Sequence, residues 1–181
     1  MYSIELLKLN EKDFEKIYAL MERSFPIEEV RTYENGLKIL SDPNYKIFIS
    51  KNEADQILGF IAEWDLGSNL FVEHFAVDQT LRGGGIGSGM MAAYLSQATK
   101  PVMLEVEDEK TEINERRIVF YQRLGFYWSD YGYHQPVMRG DVSKKIPLRI
   151  MSYPEPLTKE SFRNFRHQVF SQIYKSIEAD K

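Results

Sequence analysis

The spacing of hydrophobic and polar positions changes period repeatedly along the chain, and each change marks an element. Residues 3–9 (SIELLKL) alternate with the two-residue period of a strand. From Asn10, a capping residue type, the apolar positions Phe14, Ile17, Tyr18 and Met21 recur at helical spacing. Pro26 interrupts this pattern, and residues 27–40 read as a second helical segment or a loop. Three strand-like runs follow at 45–50 (YKIFIS), 57–65 (ILGFIAEWD) and 70–78 (LFVEHFAVD). A glycine-rich stretch then leads into a helical pattern over 86–100, and residues 101–107 (PVMLEVE) form a strand ending in acids. Residues 114–124 (NERRIVFYQRL) predict a helix stopped by Gly125 in a left-handed cap. Two aromatic-rich strands occupy 126–138 and 146–153. From Thr158 the positions Phe162, Phe165, Val169 and Ile173 line one face of an amphipathic helix. That face packs on the body or on a second copy of the chain, which leaves a homodimer open.

This order predicts an α/β fold: a mixed sheet with at least one right-handed parallel crossover. It divides into a domain over residues 1–155 and a C-terminal amphipathic helix over 156–181. The 181 residues are enough for one domain with a sizeable core, and 43% hydrophobic with 28% charged residues is the balance of a folded chain. A net charge of −4, with 23 Lys and Arg in no dense cluster, argues against a broad nucleic-acid surface. The absence of cysteine removes disulfides, thiolate nucleophiles and Cys-ligated zinc together. His74, His134 and His167 lack metal-ligand spacing, so no metal is expected. The N-terminal residues carry no signal-peptide pattern and no apolar run reaches membrane-spanning length, which predicts a cytoplasmic protein without a membrane partner.

Residues 81–90 (LRGGGIGSGM) hold five glycines where a strand meets a helix. A helix N-terminus offers unpaired N–H groups and partial positive charge, and missing Cβ atoms let a phosphate approach the backbone. A Walker-type loop would need a Gly-Lys-Ser/Thr ending, which is absent. A dinucleotide fingerprint fits Gly87, Gly89 and Ala92, with Glu105 or Glu107 downstream, yet it would lie inside the helix. A tight turn with close helix packing is the structural alternative.

Arg82, Gly85 and Gly87 follow an apolar strand end and a short turn. Asn114, Phe120, Tyr121, Gly125 and Phe126 make a second spaced pattern downstream. Together they resemble the two signatures of the GNAT superfamily, the acyl-CoA-dependent N-acyltransferases, over residues 3–153. Two departures stand out. The segment from Val106 to Asn114 is longer than is common in that family, and Arg117 replaces a small residue.

The resemblance implies a GNAT-like fold with an extra C-terminal helix and acetyl-CoA as co-substrate. It implies direct acetyl transfer to an amine in a ternary complex. It also implies that backbone groups of Arg82, Gly83, Gly84, Gly85, Ile86, Gly87 and Ser88 hold the pyrophosphate, and that Phe75, Ala76 and Val77 pair with the pantetheine arm. Asn114 would contact pantetheine and Tyr121 would protonate the departing sulfur. A tyrosine hydroxyl suits that role because it stays protonated at neutral pH.

The base is open. Strict alternation would put Phe71, Glu73, Phe75 and Val77 on one face and His74 on the other. Glu73, an acid on an apolar strand, would then have a raised pKa and accept the proton, or it would be a salt-bridged structural glutamate. His74 reads most simply as a packing residue. Glu105 and Glu107 share a strand face and either attract a cationic amine or sit in a solvated loop. Tyr131, Tyr133 and Gln135 wall the acceptor pocket or belong to the core. The favoured acceptor is a small cationic amine, beside a protein amine. A non-catalytic acyl-CoA-binding module is the rival from another class.

Overall fold

The computed structural model describes residues 4–81, 84–108, 110–141 and 143–175. Seven strands form one sheet: β1 (Leu7–Lys8), β2 (Tyr45–Lys51), β3 (Ile57–Asp65), β4 (Leu70–Val77), β5 (Val102–Glu107), β6 (Tyr127–Pro136) and β7 (Lys145–Tyr153), in the spatial order 1-2-3-4-5-7-6. Every neighbouring pair is antiparallel except β4–β5, which α3 (Ile86–Gln97) connects in parallel.

Helices cover both faces. On one lie α1 (Phe14–Ser24), α2 (Tyr33–Ile39) and α5 (Lys159–Val169), whose Phe14, Ile17, Leu37, Phe165 and Val169 pack with Phe60, Phe71 and Ile150. On the other, α3 and α4 (Glu112–Arg123) supply Met90, Met91, Ile118 and Tyr121 against Ile61, Val72, Leu104 and Met151. Gly125 at φ +94° ends α4 as expected, and the amides of Gly125 and Phe126 donate back to Gln122 and Tyr121.

The N-terminal strand is shorter than its alternation predicts. Ser3 lies outside the described residues, and pairing is confined to Leu7 and Lys8. Ile4 and Leu6 instead pack against the α3–α4 core, and Ile4 fills the space beside Gly89 that a Cβ would need. One glycine of the rich stretch thus serves packing rather than anion binding. Asn10 caps a 3₁₀ turn (Glu11–Asp13) that leads into α1, and the segment after Pro26 contains both a 3₁₀ turn (Ile27–Glu29) and α2.

A β-bulge overturns the expected parity of β4. Ala62 opposes His74 while Glu63 opposes Val72, so Glu73 is the extra residue. Phe71 and Ala76 face the α1–α5 side, whereas Val72, Phe75 and Val77 face α3 and α4. Glu73 and His74 both turn toward the α1–α2 side, Glu73 to Arg31 and His74 to Phe25 and the Glu29 carbonyl. Pairing of β4 with β5 also ends at Val72–Leu104. Beyond that point the two strands part, and the gap between them is the mouth of a cleft.

The C-terminal helix lies on the body. Phe165 and Val169 are fully buried, Phe165 meets Phe71 at 5.5 Å between ring centroids, and Phe162 stacks on Tyr131 at 5.0 Å. Thr158 and Ser161 cap its start reciprocally. After Val169 the winding widens to a π-helical segment, Phe170–Tyr174, which buries both Ile173 and Tyr174.

Candidate active site

The cleft has a volume of about 580 Å³ and runs between the parted halves of β4 and β5. At one end stands the N-terminus of α3. Gly85 adopts φ +73°, a conformation suited to glycine, and the first intrahelical bond is donated by Gly89 to Gly85. The amides of Ile86, Gly87 and Ser88 are therefore without intrahelical acceptors, and all three residues line the cleft. Their chemistry fits a phosphate, and Arg117 on α4 adds a cation at the cleft wall. Gly84 is not among the lining residues, and Arg82 and Gly83 lie outside the described residues.

Along β4 the cleft is lined by Phe75, Ala76 and Val77, whose backbone on the β5 side is released by the end of pairing. Opposite them Phe120 and Tyr121 descend from α4, with Phe120 stacked 6.2 Å from Phe75. Tyr121 is buried, no group among the described residues hydrogen-bonds its hydroxyl, and burial pushes its pKa up to about 12. The hydroxyl is thus protonated and available to a ligand.

Asn114 does not line the cleft. Its Nδ2 donates to Glu107 Oε2 at 3.0 Å and to the Asp108 carbonyl at 3.1 Å, tying α4 to the end of β5. The asparagine expected to contact pantetheine thus has its side-chain amide engaged by Glu107 and Asp108. Asp108 pairs with Arg149 at 3.2 Å, and Glu109 lies outside the described residues.

Carboxylates gather at the other end of the cleft. Glu73 receives a bidentate Arg31 guanidinium at 2.7 and 2.8 Å, and its side chain is only 2% exposed. The buried position alone would raise its pKa, but Arg31 and the His74 ring hold it well below the usual carboxylate range. The expected raised pKa is reversed, and such a carboxylate is a poor proton acceptor. Pattern reading missed Arg31 because it sits 42 residues away on an irregular segment.

Glu105 behaves in the opposite way. Its carboxyl is partly exposed at the cleft, and desolvation, opposed by the Tyr133 and Tyr174 hydroxyls, raises its pKa to about 7. Glu29 also lines this end, its pKa raised by burial and by the Glu107 charge. Glu107 and Gln135 complete the polar wall, with Phe25, Met138 and Leu148 as apolar neighbours. Tyr133, expected to bind substrate, is not among the lining residues and donates its hydroxyl to Glu105 Oε1. Tyr131 is taken up by its stacking on Phe162.

Residues 43–127 match the family model for the GNAT acetyltransferase domain. A solved structure assigned to the GNAT acetyltransferase family, from Bacteroides thetaiotaomicron, is 29% identical with a TM-score of 0.86, covering 94% of this chain and 98% of that one. More distant structures share the fold. A SpeG spermidine N-acetyltransferase variant from Vibrio cholerae is 14% identical with a TM-score of 0.62, covering 91% of this chain and 98% of that one. A spermidine/spermine N-acetyltransferase SpeG from the same organism is 15% identical with a TM-score of 0.60, covering 83% and 91%. No curated protein sequence matches the chain. The family match lies across the cleft-forming elements β4, α3, β5 and α4, and the first structure shares the fold through nearly the whole chain: the chain is similar to the GNAT acetyltransferases over residues 43–127 and has a GNAT-like fold.

Proposed function

We propose that the protein transfers the acetyl group of acetyl-CoA directly to a small cationic amine. The observation that carries this reading is the polarity of one cleft. Free α3 amides stand at one end, Glu29, Glu105 and Glu107 at the other, and the protonated Tyr121 hydroxyl lines the wall with Arg117 close enough to act on both it and Glu29. An anionic pyrophosphate suits the first end, and a positively charged acceptor suits the second.

In this reading the amine loses its proton to Glu105, whose pKa near 7 matches the working range of a general base. The nitrogen attacks the thioester carbonyl, forming the C–N bond as the C–S bond breaks. Tyr121 gives its proton to the departing sulfur and is reprotonated through solvent by the second proton that the acylated nitrogen sheds. The products are an amide, free CoA and the one proton that Glu105 returns to solvent. Backbone N–H groups of β4 freed by the strand separation supply donors for the oxyanion. Glu73, locked by Arg31, shapes the floor and replaces the sequence expectation of a base on β4.

The test is thiol release from acetyl-CoA in the presence of separate pools of polyamines, amino acids and lysine peptides. The chain has no thiol of its own, so a thiol reagent reports CoA alone. Release that depends on the small cationic amines is expected. Binding of acetyl-CoA with no release in any pool would instead favour a non-catalytic acyl-CoA-binding module.

A further inference from the structure

Tyr133 and Tyr174 both donate their hydroxyls to the same oxygen of Glu105, Oε1, the second at 2.7 Å. Among the described residues no hydrogen bond reaches Oε2, and Glu105 lines the cleft. Tyr133 belongs to β6, but Tyr174 arrives from the far end of the C-terminal segment, well beyond the residues that match the family model.

The delivery of Tyr174 depends on the change of winding after Val169. In a continued α-helix, Tyr174 would stand about 140° round the axis from Val169, turned away from the sheet. The π-wound segment Phe170–Tyr174 brings it round, so that Tyr174 is fully buried beside Ile173. Phe170 then packs edge-on against both Tyr133 and Tyr174 at 5.3 Å, fixing the two rings.

We infer that Tyr174 is a positioning residue for Glu105: with Tyr133 it holds Oε1, so that Oε2 is the oxygen presented to the acceptor. This rests on the reading above that Glu105 takes the amine proton. Two hydroxyl donors on one oxygen favour the carboxylate and oppose the desolvation that would otherwise keep the group protonated. The other charged or titratable groups around it are Glu73 with Arg31 and His74 from the β4 side, Glu29 from the turn after α1, Glu107 on its own strand, and Tyr121 and Arg117 on α4. None of these donates to Oε1.

The full-length Tyr174→Phe variant tests this, because it removes one hydroxyl and keeps the ring. Two readouts are needed: the pH profile of kcat/KM, and the titration of the Glu105 carboxyl by NMR of carboxyl-labelled glutamate, assigned through Glu105→Gln. Both are expected to shift upward by about one pH unit. Val169→Ala, which loosens the same helix without touching a hydroxyl, is expected to lower Tm and leave both in place. Unchanged values in folded Tyr174→Phe overturn the inference, as does an equal shift in Val169→Ala. A carboxyl shift without an acid limb in turnover keeps Tyr174 as the positioning residue and removes Glu105 as proton acceptor. The failure of the proposed mechanism is thereby separated from the failure of this inference.

Discussion

Arg31 and Glu73 meet in a bidentate ion pair on the cleft floor, with side chains 10% and 2% exposed. The guanidinium also lies 5.8 Å from the centroid of the Trp64 ring. Removing one partner leaves a buried charge without compensation, so Arg31→Ala is expected to destabilise the fold by about 3–5 kcal/mol. Arg31→Met combined with Glu73→Leu should recover much of that loss. Urea denaturation at neutral pH measures both. Because Arg31 lowers the Glu73 pKa, the pair's contribution is present above the ordinary carboxylate range and is lost as the pH falls through the depressed value.

Tyr121→Phe separates binding from chemistry. Among the described residues the hydroxyl has no hydrogen-bond partner to lose, and the ring keeps its packing on Phe126 at 5.5 Å. A fall in kcat of about 10²- to 10⁴-fold with unchanged acetyl-CoA affinity is expected from steady-state kinetics and calorimetry. Equal losses in both would remove it as the acid.

As the proposed base, Glu105 should govern the acid side of the pH profile. With a pKa near 7, the carboxylate forms as pH rises through neutrality, so kcat/KM should rise across that range and level off above it. Glu105→Gln should abolish this limb and slow turnover by about 10²- to 10⁴-fold. Stability moves the other way. The folded state holds this proton more tightly than the unfolded chain does, so Glu105 contributes stability below its ordinary value of 4.5. That contribution is lost as pH rises through about 7. Thermal unfolding of Glu105→Gln should lack that decline.

Gly59 is a position where a side chain has no room. A Cβ there would lie 2.6 Å from the Ala76 carbonyl oxygen and 2.9 Å from Met90 Sδ, between β3, β4 and α3. Gly59→Ala is expected to cost about 1–3 kcal/mol, read by denaturant unfolding. It should also weaken acetyl-CoA binding, because the displaced strand carries Ala76 and Val77 into the cleft.

Phe165 tests how far the C-terminal helix is part of the core. It is fully buried against Phe71 and the Tyr133 ring. Phe165→Ala should destabilise by about 3–5 kcal/mol in a single cooperative transition. A separate low-temperature transition would mean that the helix is a detachable appendage.

Local pattern was sufficient for much of the architecture. Apolar spacing marked α1 and α5, apolar and aromatic runs marked β2, β3, β4, β6 and β7, and Gly125 marked the end of α4, because each is set by which residues must leave water and by backbone freedom at one residue. The spaced residues Gly85, Gly87, Phe120 and Tyr121 likewise pointed to one cleft, since strand–turn–helix connectivity brings them there directly. The roles of the acids were a different matter. One inserted residue in β4 reversed the parity of Phe75 relative to Phe71, and two-residue periodicity does not reveal such a bulge. Glu73 and Glu105 look alike as acids on neighbouring strands, yet one meets a guanidinium from residue 31 and the other two hydroxyls from residues 133 and 174. A carboxyl's proton affinity depends on the charges, donors and water around it, and only the folded chain brings those distant groups together.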